Sequence, residues 1–218
     1  MSADETIWNE KNYRHPHKWA QEFTPLTLPE MFANAVRENP QAPLVDFLGR
    51  KFSYSDIAAR AMQVAAGLHR LGLKPGDRVG LFLPNVPHYV AAYYGAMIAG
   101  MTVVNFSPLY SVAELGHQVE DSGTKLLITV DAKALLPTAV AVLRDSTLEK
   151  LVVGSVAEAL PMVKSLAYRL FKRADIAPMP KDAAITRWSA LVDNDGKLDV
   201  PEPKADDVAL LQYTGGTT

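Results

Sequence analysis

Thr214, Gly215, Gly216, Thr217 and Thr218 set two adjacent glycines among three threonine hydroxyls, the residue types from which phosphate-binding loops are built. Glycine lets the backbone turn its N–H groups toward an anion and approach it closely, and a threonine hydroxyl can donate to a phosphate oxygen or ligate a magnesium ion. The same run also fits a plain turn leaving a strand, because Gly-rich turns are common there. Val208–Tyr213, just before it, reads as that strand. The chain stops directly after the run, with no element left to cover or use the strand. That counts against the plain turn and gives the expectation of a truncated chain.

Leu160–Arg173 (LPMVKSLAYRLFKR) is a second candidate. At 100° per residue Leu160, Val163, Leu166, Ala167, Leu170 and Phe171 gather on one side, and Lys164, Ser165, Arg169 and Lys172 on the other. Lys164, Arg169, Lys172 and Arg173 give it four basic residues and no acid. The pattern fits a helix lying on anionic lipid. It fits equally a surface helix that packs its apolar side on its own domain and solvates its basic side.

The remaining polar candidates are scattered. His15 and His17 lack a nearby carboxylate cluster and read as exposed polar residues rather than metal ligands. His69, His88 and His117 fall on three different predicted helices. Glu120 and Asp121 end a helix with no evident partner, so paired-carboxylate catalysis is unsupported. Cysteine is absent, which excludes disulfide scaffolds, thiol catalysis and Cys-based metal sites, and is compatible with a reducing cytoplasm. With 22 Lys+Arg against 24 Asp+Glu the chain has no global basic field, so it is not expected to bind nucleic acid. Neither G-x-G-x-x-G nor G-x-x-x-x-G-K-[ST] occurs.

The elements that would position the loop follow from hydrophobic period. The 218 residues, 48% of them hydrophobic, are enough for a real core. Residues 1–29 form an arm without sustained periodicity, too polar and acidic for a signal peptide, whose Trp8, Tyr13, Trp19 and Phe23 are expected to dock on the body or on a second subunit of a homodimer. Thr27–Asn39 predicts a helix that Pro40 stops, and Leu44–Phe47 with Lys51–Tyr54 predicts a hairpin turning at Gly49. From Ser55 onward helices and apolar strands alternate. A helix closed by Gly72 precedes the strand Val79–Leu83, and Asn85 with Pro87 is expected to cap the next helix, through Ile98. Thr102–Phe106 is the next strand, and Ser111 with Glu114 has capping-box spacing for a helix to about Asp121. Leu126–Val130, Ala134–Leu143 and Leu151–Val153 continue the order. Tyr89–Val112 is long and uncharged enough to be tested as a membrane span, but its glycines and polar residues split it into a buried helix and a buried strand. Tyr89, Tyr93 and Tyr94 read as core or groove wall. The fold expected is α/β, a doubly wound, mostly parallel sheet covered by helices.

The carboxyl-terminal run resembles the start of the ATP-binding signature of the acyl-adenylate-forming superfamily, whose usual form is Tyr-Thr-Ser/Gly-Gly-Thr-Thr-Gly followed by Pro/Ala-Lys-Gly. FSYSDI (Phe52–Ile57), LKPGDRVGLFLPN (Leu73–Asn85) and GAMIAGMTVVNFSPLY (Gly95–Tyr110) are similar to that family's N-terminal landmarks and stand in the same order. The run NFSPLYSVAELGHQVEDSG and the wording LLQYTGGTT resemble most closely the bacterial long-chain fatty acid–CoA ligases.

The resemblance implies that residues 30–218 form the α/β part of the family's large N-terminal domain, truncated inside the phosphate loop. It implies an AMP-forming ligase that uses ATP with Mg2+, a fatty acid and CoA, in the cytoplasm or peripherally on the inner membrane face. Thr214, Gly215, Gly216, Thr217 and Thr218 would then bind the ATP phosphates, with Thr214 a ligand to magnesium. The closing Gly and Lys of the loop, the adenine motifs and the catalytic lysine of the mobile C-terminal domain lie beyond Thr218, so the chain is expected to fold without catalysing. Activation of medium-chain or aryl carboxylates, and a non-catalytic α/β binding module, remain as alternatives.

Overall fold

In the computed structural model residues 22–214 are described. The chain forms α1 (Leu28–Glu38), β1 (Pro43–Phe47), β2 (Arg50–Ser53), α2 (Tyr54–Arg70), β3 (Arg78–Leu81), α3 (Pro87–Ile98), β4 (Thr102–Asn105), α4 (Val112–Ser122), β5 (Leu126–Val130), α5 (Leu136–Asp145) and β6 (Lys150–Gly154). It continues with α6 (Val156–Ala159), α7 (Met162–Phe171), β7 (Ile185–Arg187), α8 (Trp188–Leu191) and β8 (Leu210–Gln212). The expected doubly wound α/β fold is present.

Several helix starts are set by local chemistry. Thr27, Ser53 and Ser111 each accept from the backbone N–H three residues on, while Glu30, Asp56 and Glu114 reach back to the cap N–H. These are reciprocal capping boxes. At α3 the cap is Val86 and not Asn85: Pro87 takes the first helical position, and no side chain closes the end.

β1 and β2 form the antiparallel hairpin, turned through Leu48 and Gly49, both at positive φ. The main sheet is parallel throughout, in the order β7-β6-β5-β3-β4-β8. From β3 the chain steps one way to β4 and then back across β3 to β5. Right-handed crossovers therefore put α3 and α4 on opposite faces. α1 and α2 pack with α3 on one side, and α4 packs with α5 on the other. Buried on both faces, the strands show continuous apolar runs: Leu81, Val103, Val104, Leu126, Leu127, Ile128 and Leu151 have no measurable exposure. The Tyr89–Val112 stretch divides into α3 and β4 as expected, and no described helix is long and apolar enough to cross a membrane.

His88, second residue of α3, is 7% exposed and sits edge-on to Trp188 with ring centroids 4.9 Å apart. Its Nδ1 is buried without a partner. Burial, assisted by the nearby Arg60 charge, pushes its pKa from 6.5 down to about 4, so the folded chain holds a neutral imidazole. Between these two values the unfolded chain takes up a proton that the folded one refuses. Stability from this group is complete above about pH 6.5, falls as the pH drops toward 4, and is flat below. The loss is on the order of 3 kcal/mol. Urea midpoints measured near neutrality and near the lower limit should fall less far apart in His88→Phe than in wild type. Equal drops in both proteins would show that His88 does not carry the effect.

Candidate functional site at the carboxyl edge of the sheet

Open α/β sheets hold ligands outside the carboxyl ends of their strands. Thr214 lies there, two residues beyond the end of β8 and exposed to solvent. Gly215, Gly216, Thr217 and Thr218 lie outside the described residues. The expected strand is present, shorter than Val208–Tyr213, and it pairs in parallel with β4 in the register Val103 to Leu210 and Asn105 to Gln212.

Two sets of side chains hold this end of β8. On the α3 face, the Tyr89 hydroxyl donates to Asn105 Oδ1 at 2.8 Å, and Asn105 Nδ2 donates to Gln212 Oε1 at 3.0 Å. On the α4 face, the Tyr213 hydroxyl donates to the Asp121 carboxylate, and its ring lies roughly parallel to that of Phe106. Burial and the Asp121 carboxylate push the Tyr213 pKa up to about 12, so its hydroxyl stays a donor. At the other end of β8 the Thr102 hydroxyl donates to the Val208 carbonyl at 2.8 Å. The strand that delivers Thr214 is thus held on one face through Asn105 of β4 and on the other through Asp121 of α4.

Asp121, read from sequence as lacking a partner, has one in Tyr213. Asn105 and Gln212 were not singled out by sequence; the usable signal is that each is a polar residue closing an apolar strand. Tyr89, Tyr93 and Tyr94 are half-buried: Tyr94 stacks on Phe32 at 3.9 Å, Tyr93 meets Tyr94 edge-on, and only Tyr89 reaches the site. His69, His88 and His117 remain apart on α2, α3 and α4. His15, His17, Trp8, Tyr13 and Trp19 lie outside the described residues, and Phe23 is 82% exposed. Lys164, Arg169, Lys172 and Arg173 belong to α7 and the turn after it, outside this site.

Tyr89→Phe deletes one donor and leaves a half-buried amide oxygen unpaired, which should lower stability by about 1 kcal/mol. A urea midpoint indistinguishable from wild type would show that this bond does not tie β4 to α3.

No group of three or more His, Cys, Asp or Glu side chains suited to a metal is present among the described residues. A magnesium ion that arrives with a nucleotide needs only one or two protein oxygens, because phosphates and water complete its shell. The exposed Thr214 hydroxyl fits that requirement.

A doubly wound parallel sheet with helices on both faces defines an α/β domain of the class that holds ligands beyond the carboxyl ends of its strands. Residues 32–218 match the profile described as AMP-binding enzyme, and the chain belongs to this acyl-adenylate-forming superfamily. It is 34% identical to the long-chain-fatty-acid–CoA ligase of Bacillus subtilis over 196 residues, covering 88% of this chain and 35% of that enzyme. To the enzyme of the same name from Salmonella typhimurium it is 34% identical over 213 residues, covering 94% of this chain and 38% of that one. The crystal structure of an anthranilate CoA ligase in complex with anthranoyl-AMP superposes with a TM-score of 0.69 at 18% identity, over 87% of this chain and 32% of that one. The chain therefore spans little more than a third of the relatives it matches.

Proposed function

We propose that this chain is the N-terminal portion of a long-chain fatty acid–CoA ligase and carries the first half of its ATP phosphate loop. The observation that carries the reading is Thr214, first residue of the Gly-Thr run, placed just beyond β8 at the carboxyl edge of the sheet, with a strand anchored from two faces behind it. The likeness to two bacterial long-chain ligases supports the substrate class.

In such an enzyme a fatty acid carboxylate oxygen attacks the α-phosphorus of ATP, pyrophosphate leaves, and the CoA thiol then displaces AMP from the acyl-adenylate. Negative charge grows on the departing pyrophosphate. The Gly215 and Gly216 backbone N–H groups and the Thr217 and Thr218 hydroxyls would hold the phosphates where that charge develops. Thr214 would hold magnesium, which when bound neutralises phosphate charge. The chain's own task is to bind and orient the triphosphate.

The test is AMP release by the full-length protein with ATP, magnesium, CoA and fatty acids graded from short to long. AMP and acyl-CoA should rise with the long acids. Turnover only with medium-chain or aryl acids would replace the substrate class, and no AMP with any acid would overturn the ligase reading. The isolated 218-residue chain should fold and release none.

A further inference from the structure

α7 packs the wrong way round for an ordinary surface helix. The residues it turns toward the domain are Ser165, Ala167 and Tyr168, all partly covered, whereas Met162 is 87% exposed, Val163 81%, Leu166 62%, Leu170 65% and Phe171 84%. Packing of the apolar side on the protein's own body, one of the two readings open to the sequence, does not occur among the described residues. At 100° per residue Met162, Leu166, Leu170, Val163 and Phe171 follow one another around half the helix, with the partly covered Ala167 between the last two. Arg169 borders that arc on the Met162 side and Lys164 on the Phe171 side; Lys172, at the carboxyl end, lies opposite the middle of the arc, and Arg173 follows it.

The helix is nevertheless firmly mounted. Lys164 Nζ donates to the Leu48 carbonyl at 2.7 Å, fixing α7 to the hairpin tip, where Leu48 itself is 59% exposed. Arg50 donates to the Glu158 carbonyl at 2.6 Å, just ahead of α7. Behind α7, Lys133 N–H donates to the Asp175 carbonyl and Ala177 N–H to the Asp131 carbonyl, each at 2.8 Å. A groove of about 830 Å3 runs beside α7, with Arg50 and Arg169 at its polar rim and Met162 and Leu166 in its wall. The nearby acids are Glu158, Asp131 and Asp175, the last 3.5 Å from Lys172, and the basic groups, with Arg50 among them, outnumber them.

We propose that α7 is a docking element for an anionic lipid bilayer, its apolar arc seated at the headgroup–acyl boundary and Arg169, Lys172 and Arg173 set against lipid phosphates, while Lys164 serves to mount the helix. An apolar arc bordered by cations matches both layers of such a surface: the hydrocarbon takes up the exposed leucines and Phe171, and long basic side chains extend outward to the phosphates. The inference stands on α7 alone and is independent of the ligase reading.

Flotation of the full-length protein with vesicles tests it. Binding is expected to vesicles of equal parts phosphatidylglycerol and phosphatidylcholine, to weaken with salt, and to be far weaker on phosphatidylcholine alone. Arg169→Glu, Lys172→Glu and Arg173→Glu combined should reduce anionic-vesicle binding by about 100-fold or more, given roughly fivefold per basic residue lost and the added repulsion of each new carboxylate. Leu170→Glu with Phe171→Glu, which leaves every basic residue in place, should abolish it too. Both variants should keep the wild-type urea midpoint; a lowered midpoint would mean that chain beyond Thr218 covers the arc and would overturn the proposal. Absence of wild-type binding, or variants that bind as wild type does, would overturn the proposal. So would a dimer that the Leu170/Phe171 variant dissociates in a protein that ignores vesicles, since a second copy would then be what covers α7. AMP release without vesicles is a separate readout, so either proposal can fail alone.

Discussion

Under the proposed ligase reading, Gly216→Val in the full-length protein is expected to lower kcat/KM for acyl-CoA formation by about 10²–10³-fold, the cost of losing one well-placed donor at a developing anion. A branched side chain denies the phosphate the close backbone approach that glycine permits. Thr217→Val, which keeps side-chain shape and removes the hydroxyl, should fall in the same direction. Both follow the anchored strand in sequence, so the urea midpoint should stay at the wild-type value while activity falls. Near wild-type kcat/KM in both variants would remove the phosphate-binding role from this run, leaving the plain turn.

Gly67→Ala is expected to be the most damaging single methyl in the fold. A Cβ at Gly67 would stand 2.2 Å from the Leu191 carbonyl oxygen and 2.8 Å from Leu191 Cδ1. That carbonyl cannot yield easily: Asn194 Nδ2 donates to it at 2.9 Å, and Arg70 holds the neighbouring Ala190 carbonyl at 2.7 Å. Overpacking against a fixed backbone should cost at least ~3 kcal/mol. Gly116→Ala is the contrast, since nothing lies within 4 Å of a Cβ there and the residue is inside α4. It should stabilise by about 0.5–1 kcal/mol by restricting the unfolded chain. Urea denaturation of the two variants should move the midpoint in opposite directions. A Gly67→Ala midpoint at or above wild type would mean that α8 is not held against α2 as described.

What the sequence disclosed and what it withheld divide along sequence separation. The central strands were legible because a doubly covered parallel strand must be apolar at consecutive positions, and Leu126–Val130 satisfies that with no neighbour's help. Ser111 with Glu114 was legible for the same local reason. β7 was missed because three residues carry too little pattern. The Asn105 and Gln212 contact joins residues 107 apart, and nothing in either neighbourhood announces the other. Asp121 gained its Tyr213 partner from the same long-range pairing of β8 with β4. In α7 the apolar period was plain, but periodicity is identical whichever side of a helix faces inward. Only the placed neighbours reveal that Tyr168 turns in and Phe171 turns out.

The position of β8 also dictates an order of events during synthesis. β3 to β7 can assemble as soon as they emerge, since every pairing among them is made without β8. β4 then waits with one edge open until its partner arrives 107 residues later, roughly 5–20 s at ordinary translation rates. An open apolar edge is a template for pairing with another chain, so Val103 and Val104 mark the nascent protein's most aggregation-prone interval. Because the Gly-Thr run follows β8, occupancy of the proposed phosphate loop would report that β8 has joined β4, and slowing the ribosome between β7 and β8 would lengthen that exposure without changing the final structure.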